Sequence, residues 1–129
     1  MNIPGDLKYT EQDEWARVED DVVTIGISDF AQDQLSDIVY VEFLVAEGEQ
    51  VSKGDACATI ESVKAAADVY LSVSGEVVAV NEALADTPEV VNSDSYGEAW
   101  MVKIKMSDPG ELEQLMDAAS YTKAIEEKE

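Results

Sequence analysis

The chain has 129 residues, 46% of them hydrophobic, and carries eight Lys and Arg against 29 Asp and Glu, for a formal net charge of −21. That length fits one domain, 1–129, with enough apolar material for a real core. The charge argues against nucleic-acid partners, which are held by cations on phosphates, and against anionic membrane surfaces. Cys57 is the one cysteine, so no intramolecular disulfide forms, and histidine, the commonest general base and transition-metal ligand, is absent. No apolar run approaches the roughly 20 residues needed to span a bilayer. The start, Met1 to Asp6, has no basic region typical of a leader, so a cytoplasmic location is expected.

In chain order, Glu14 to Glu19 and Val22 to Ile27 read as a hairpin turning at Asp20-Asp21. Ser28 suits the N-cap of a short helix over 29–35. Ile38 to Leu44 reads as a strand ended by Glu47-Gly48-Glu49. Ala56 to Ser62 and Val69 to Val73 read as strands flanking a short Ala-rich segment, and Gly75 to Asn81 follows a Ser-Gly turn. Trp100 to Met106 alternates, placing Trp100, Val102, Ile104 and Met106 on one side and Met101, Lys103 and Lys105 on the other. Ser107-Asp108-Pro109 caps a C-terminal helix near 109–125 with Leu112, Leu115, Met116 and Ala119 as one apolar stripe, before a charged, frayed tail over 126–129. Gly26, Gly48, Gly54 and Gly75 read as turn or bulge positions. Gly48-Glu49-Gln50-Val51 and Gly75-Glu76-Val77-Val78 echo each other on either side of the Ala-rich segment, which suits a small barrel or sandwich with two related halves.

No nucleophile–base pair and no metal-ligand cluster stands out, so neither catalytic nor metal-binding residues are assigned. Cys57, in Ala56-Cys57-Ala58-Thr59-Ile60, reads as core packing, and Trp15 and Trp100 as core or rim aromatics. The informative segment is Glu61-Ser62-Val63-Lys64-Ala65-Ala66-Ala67-Asp68. A lysine between two strand-like runs, followed by small residues, stands at the tip of a hairpin and is open to a modifying enzyme. The ε-amine must lose a proton to attack an acyl group, and that activation has to come from the enzyme. Lys64 is thus a target of modification and not a catalyst. Most exposed hairpin lysines only add charge, and spacing alone would leave Lys64 among them.

The wider pattern changes that weighting. Glu61-Ser62-Val63-Lys64-Ala65 resembles the lipoylation motif of the glycine cleavage H proteins. Tyr9-Thr10 and Glu14-Trp15 resemble the start of that family. Gly26-Ile27-Ser28, Ala31-Gln32, Leu35 and Asp37 to Glu42 resemble its next block. Val73 to Val77, Val80-Asn81, Pro88, Val91-Asn92, Tyr96-Gly97, Trp100 and Lys103 to Lys105 follow in order. The match runs from Gly5 to about Ile125.

The resemblance implies a mainly β fold, a flattened β barrel-sandwich hybrid with a short helix near 29–35 and a C-terminal helix near 109–125. It implies lipoate joined by an amide to Lys64, within the modification motif of Glu61, Ser62, Val63 and Ala65. Glu14 and Asp68 would line a cleft for the loaded arm. The implied partners are a pyridoxal-phosphate glycine decarboxylase, a tetrahydrofolate-dependent aminomethyltransferase, dihydrolipoyl dehydrogenase and a lipoyl-attaching enzyme.

Several positions depart from the pattern. Asp13 stands where the family has histidine, and Ser36 occupies a glycine-like turn. Leu71-Ser72 replaces Ser-Pro, Ser95 a proline and Ala99 a glycine. Alternatives remain a biotin carrier, a lipoyl carrier for lipoyl relay or sulfur transfer, and an unmodified interaction module. Val63 and Ala65 lack the methionines that flank a biotinyl lysine.

Overall fold

A computed structural model describes residues 2–128. Its strands are β1 (Lys8–Tyr9), β2 (Glu14–Glu19), β3 (Val22–Ile27), β4 (Ile38–Phe43), β5 (Gln50–Val51), β6 (Ala56–Ser62), β7 (Ala66–Tyr70), β8 (Gly75–Val80) and β9 (Val102–Met106). The helices are α1 (Asp29–Leu35), α2 (Ala83–Asp86), α3 (Val90–Ser93) and α4 (Ala118–Lys128), with a 3-10 segment over Pro109–Gln114. Two antiparallel sheets form, one ordered β1-β2-β3-β9-β8-β5 and the other β4-β6-β7. They pack as an open sandwich and do not close into a barrel.

Alternation explains the core. Ala16, Val23, Ile25, Val77 and Ile104 of the larger sheet meet Val41, Ile60 and Val69 of the smaller one in a single apolar cluster. The β2–β3 hairpin turns in two residues, with Asp20 at φ 57° taking the left-handed conformation the tight turn demands. The two echoed segments pair with each other, Gln50 opposite Glu76 and Val51 opposite Gly75. Gly75 is required there, because a Cβ would stand 1.9 Å from the Lys105 carbonyl oxygen. Gly26 is no turn residue. It lies inside β3, where a Cβ would sit 2.7 Å from the Trp15 indole.

Ser28 caps α1 as expected, accepting from the Ala31 amide at 3.2 Å, and Ser36 takes the glycine-like turn at φ 68°. Three further expectations need correction. First, β7 runs from Ala66 to Tyr70 instead of from Val69 to Val73, so the Ala-rich segment is itself strand. Weak strand formers are held there by pairing, Ala66 with Glu61 and Ala67 with Ile60. Second, the alternation before β9 breaks, since Met101 and Val102 are both buried. The Met101 amide bonds the Ile25 carbonyl while Trp100 is still in a turn closed on Gly97, so regular pairing with β8 starts one residue later.

Third, no single helix spans 109–125. The 3-10 segment stops at Leu115, and Met116 forms a bridge to Tyr9 with two 2.8 Å backbone bonds. Asp117 then opens α4, accepting from the Ser120 amide at 2.8 Å. The phase of the stripe changes with this break. Leu112 and Leu115 pack on the main core, but Ala119 is exposed, and Tyr121 and Ile125 fill a second cluster with Leu7, Tyr9, Trp15 and Phe30. Glu126 and Glu127 remain helical, and the last tail position, Glu129, lies outside the described residues.

Candidate functional site

The β6–β7 hairpin puts Lys64 at its tip, exposed, with Ala65 and Ala66 exposed beside it. Ser62 closes this turn. Its amide donates to the Ala65 carbonyl at 2.7 Å, and its hydroxyl oxygen accepts from the amides of Ala65 at 3.0 Å and Lys64 at 3.3 Å. Val63, 66% exposed, is tied by its amide to the Asp37 carbonyl just before β4, at 3.0 Å. The attachment candidate is therefore mounted on a hydrogen-bonded platform, with Val63 before it and small alanines after it.

The hairpin register arranges the surrounding outer face. Tyr40, Glu61 and Ala66 form one row across the three strands, and Glu42, Thr59 and Asp68 the next. Glu61 and Asp68 are exposed, and the Thr59 hydroxyl donates to an Asp68 carboxylate oxygen at 3.0 Å. Cys57 lies buried on β6, where burial pushes its thiol up to about 12, which leaves no thiolate for chemistry near neutrality.

Glu14 sits differently. It is only 2% exposed, and its carboxylate accepts from the Thr10 hydroxyl at 2.7 Å and the Tyr70 amide at 2.9 Å. Tyr70 lies on the free edge of β7, so Glu14 takes the place that a neighbouring strand would fill. Burial holds this carboxyl above the usual glutamate range, its two hydrogen bonds oppose the shift, and nearby Asp13 adds to it. Glu14 borders a cleft of about 330 Å³ together with Lys53, Leu71, Ser72 and Gln114. Asp68 does not border that cleft; its carboxylate stays with Thr59 on the outer face.

The sequence reading missed Ser72 in this cleft. Its hydroxyl is buried, and its oxygen is the one such side-chain atom without a hydrogen-bond partner among the described residues. A family proline replaced by serine was the available signal, but the orphaned atom shows only in three dimensions. The role of Asp13 also emerges here. At φ 70° it accepts a 3.0 Å bond from the Tyr121 hydroxyl, which in turn lies 2.6 Å from Ser28 Oγ. The position thus secures α4 to the β2 entry. Among the described residues no group of side chains is arranged to hold a metal, and no helix is long and apolar enough to cross a membrane.

Comparison with known proteins identifies the family. The glycine cleavage H-protein family pattern matches residues 7–128. The glycine cleavage system H protein of Shewanella loihica is 56% identical over 128 residues, covering 98% of each chain. The probable glycine cleavage system H protein of Aeropyrum pernix is 55% identical, covering 95% of this chain and 85% of the relative. The crystal structure of a glycine cleavage system H protein from Mycobacterium marinum superposes with a TM-score of 0.85 at 34% identity, over 94% of this chain and 97% of that one. The chain belongs to the glycine cleavage H-protein family, the lipoyl carriers that serve the glycine cleavage system as non-catalytic components.

Proposed function

We propose that Lys64 carries the lipoyl group through an amide and that the chain shuttles the aminomethyl group of glycine between enzymes, in the cytoplasm. The observation that carries this reading is the Ser62-closed turn, which presents an exposed lysine flanked by alanine. The residues fit the group: acylation of an exposed amine displaces no packed side chain and breaks no hydrogen bond of the turn. Bound there, lipoate would supply the sulfur pair that carries the cargo from the pyridoxal-phosphate glycine decarboxylase to the tetrahydrofolate-dependent aminomethyltransferase, with dihydrolipoyl dehydrogenase restoring the oxidised form.

The chain itself positions and shields. Ser62 holds the base of the arm, while Glu61, Val63 and Ala65 complete the surface a lipoyl-attaching enzyme must read. Glu14 and Asp68 are proposed as the carboxylates that favour a cationic cargo near the domain. Glu14 is supported by its place at the cleft, where its carboxylate is held by two neutral donors, the Thr10 hydroxyl and the Tyr70 amide. Asp68 is supported only by its place on the strand leaving the tip. Equal hydrolytic lifetimes of the loaded arm in wild type, Glu14→Ala and Asp68→Ala would remove both from the proposal.

Intact and peptide mass spectrometry of protein from its native host tests the central claim. The expected result is a lipoyl increment on Lys64. A free Lys64 amine in lipoate-replete cells would overturn it in favour of an unmodified interaction module.

A further inference from the structure

Six large hydrophobic residues are exposed among those described, namely Val18, Val39, Tyr40, Leu44, Val63 and Val78. Scattered exposed apolar residues need no explanation, but grouped ones do. Three of the six belong to the strand and turn that frame Lys64: Val39 and Tyr40 on β4, and Val63 at the tip, whereas Leu44 lies beyond the far end of β4. Val63 and Val39 are the most exposed, at 66% and 55%.

The backbone brings them together. The Val63 amide bonds Asp37, Ile38 pairs with Ser62, and Tyr40 pairs with Glu61. Between Ile38 and Tyr40 the register shifts, so that two consecutive residues, Val39 and Tyr40, both face solvent. A regular strand would turn one of them inward. Bulges of this kind commonly re-aim a side chain beside a functional site.

Lys64 itself apart, the charge on this sheet has one sign. The three small-sheet strands contain Glu42, Glu61 and Asp68 and no lysine or arginine, and the Tyr40 hydroxyl donates to Glu42 at 3.3 Å. An apolar centre with a carboxylate rim is complementary to an apolar surface rimmed by cations. A second copy of this chain, at −21, would be repelled. A macromolecule that acylates Lys64 must also cover the residues beside it.

We propose that Val39, Tyr40 and Val63, with the carboxylates around them, form the docking face for the enzyme that acylates Lys64, whose active-site mouth presents apolar residues within a ring of Arg and Lys. The inference rests on Lys64 being the attachment site. A patch this small suits a transient encounter, in which a few buried anchors carry the affinity and the rim sets the encounter rate.

The test is lipoylation of the full chain by a lipoate–protein ligase with ATP and lipoate, with initial rates read by intact mass. The variants are Val39→Ser/Tyr40→Ser, Val63→Ser, and Val18→Ser/Val78→Ser as a control on the other sheet. Thermal melting checks that each is folded. The expected result is a KM raised about tenfold for the β4 pair and less for Val63→Ser, with kcat retained and the control unchanged. For wild type, KM should rise as salt goes from about 0.15 M to about 1 M. A folded β4 pair and Val63→Ser both modified as efficiently as wild type would overturn the inference, as would an equal loss in the control or a salt-insensitive KM. A wild-type chain that is never modified fails earlier, at Lys64 itself. A dimer that the β4 substitutions dissociate would assign the face to a second copy and overturn the proposed partner.

Discussion

The six-stranded sheet carries Lys8, Arg17, Lys103 and Lys105 on its strands, whereas the three-stranded sheet holds Glu42, Glu61 and Asp68 and no cation. On the larger sheet the cations have structural work. Arg17 lies 4.9 Å from the Trp15 ring centroid and donates to the Tyr96 carbonyl, and Lys103 lies 5.0 Å from that of Trp100. The same sheet gathers the packing devices: Gly26 under the indole, Gly75 against β9, and Tyr9 stacked on Tyr121 at 4.5 Å. The smaller sheet has an inner face in the core and an outer face of acids, alanines and exposed apolar residues. Stability and presentation are thus assigned to different sheets, so the outer face of the smaller one can serve recognition without disturbing the core.

Substitutions can break or sharpen this division. The largest effect is expected at Lys64. Lys64→Arg should abolish lipoyl incorporation, read by mass spectrometry, while changing unfolding free energy by less than about 0.5 kcal/mol. Gly75→Ala on the larger sheet should do the reverse. Its Cβ meets a backbone oxygen that cannot step aside, so a loss above about 3 kcal/mol is expected by urea unfolding, with Lys64 still modified in the folded fraction. Tyr121→Phe removes a hydroxyl shared by Asp13 and Ser28. It should cost about 1–2 kcal/mol and loosen α4, seen as faster amide exchange in that helix.

Glu14→Gln should have the smallest effect and a definite pH signature. Burial raises the Glu14 carboxyl pKa in the folded state, so the native chain binds that proton more tightly than the unfolded one. The resulting stability is full below the ordinary glutamate pKa and is lost as pH rises through the native value. Wild type minus Glu14→Gln should therefore be largest in acid, decline with rising pH and level off once Glu14 is ionised. The amide keeps much of the hydrogen bonding, so a difference of about 1 kcal/mol or less is expected at neutral pH. A difference that grows with pH would contradict the raised value.

How much of this was legible in the sequence varied with the kind of interaction. The β2–β3 hairpin, the Ser28 cap and the position of Lys64 depend on neighbours in the chain, and the local pattern revealed them. The start of β7 did not show, because Ala66 and Ala67 become strand only through their partners on β6. The register of α4 was hidden for a similar reason. The Tyr9–Met116 bridge interrupts the helix, and the buried face then follows Tyr121 and Ile125. The fold and partnership of the site depended on ordered matches to a family. The unpartnered Ser72 hydroxyl and the edge-capping Glu14 needed coordinates, since both are defined by groups remote in sequence.

The Ser62-closed turn has a consequence in time. Five hydrogen bonds, made by Ser62 and by the Val63 amide, fix the backbone on which Lys64 stands. Waiting for a loop to open, on scales from nanoseconds to microseconds, is therefore no part of presenting the amine. What remains is rotation about the side-chain bonds, in picoseconds to nanoseconds. For the enzyme proposed to acylate Lys64, the amine would therefore sample its reach on a fixed base, without a prior rearrangement of the turn.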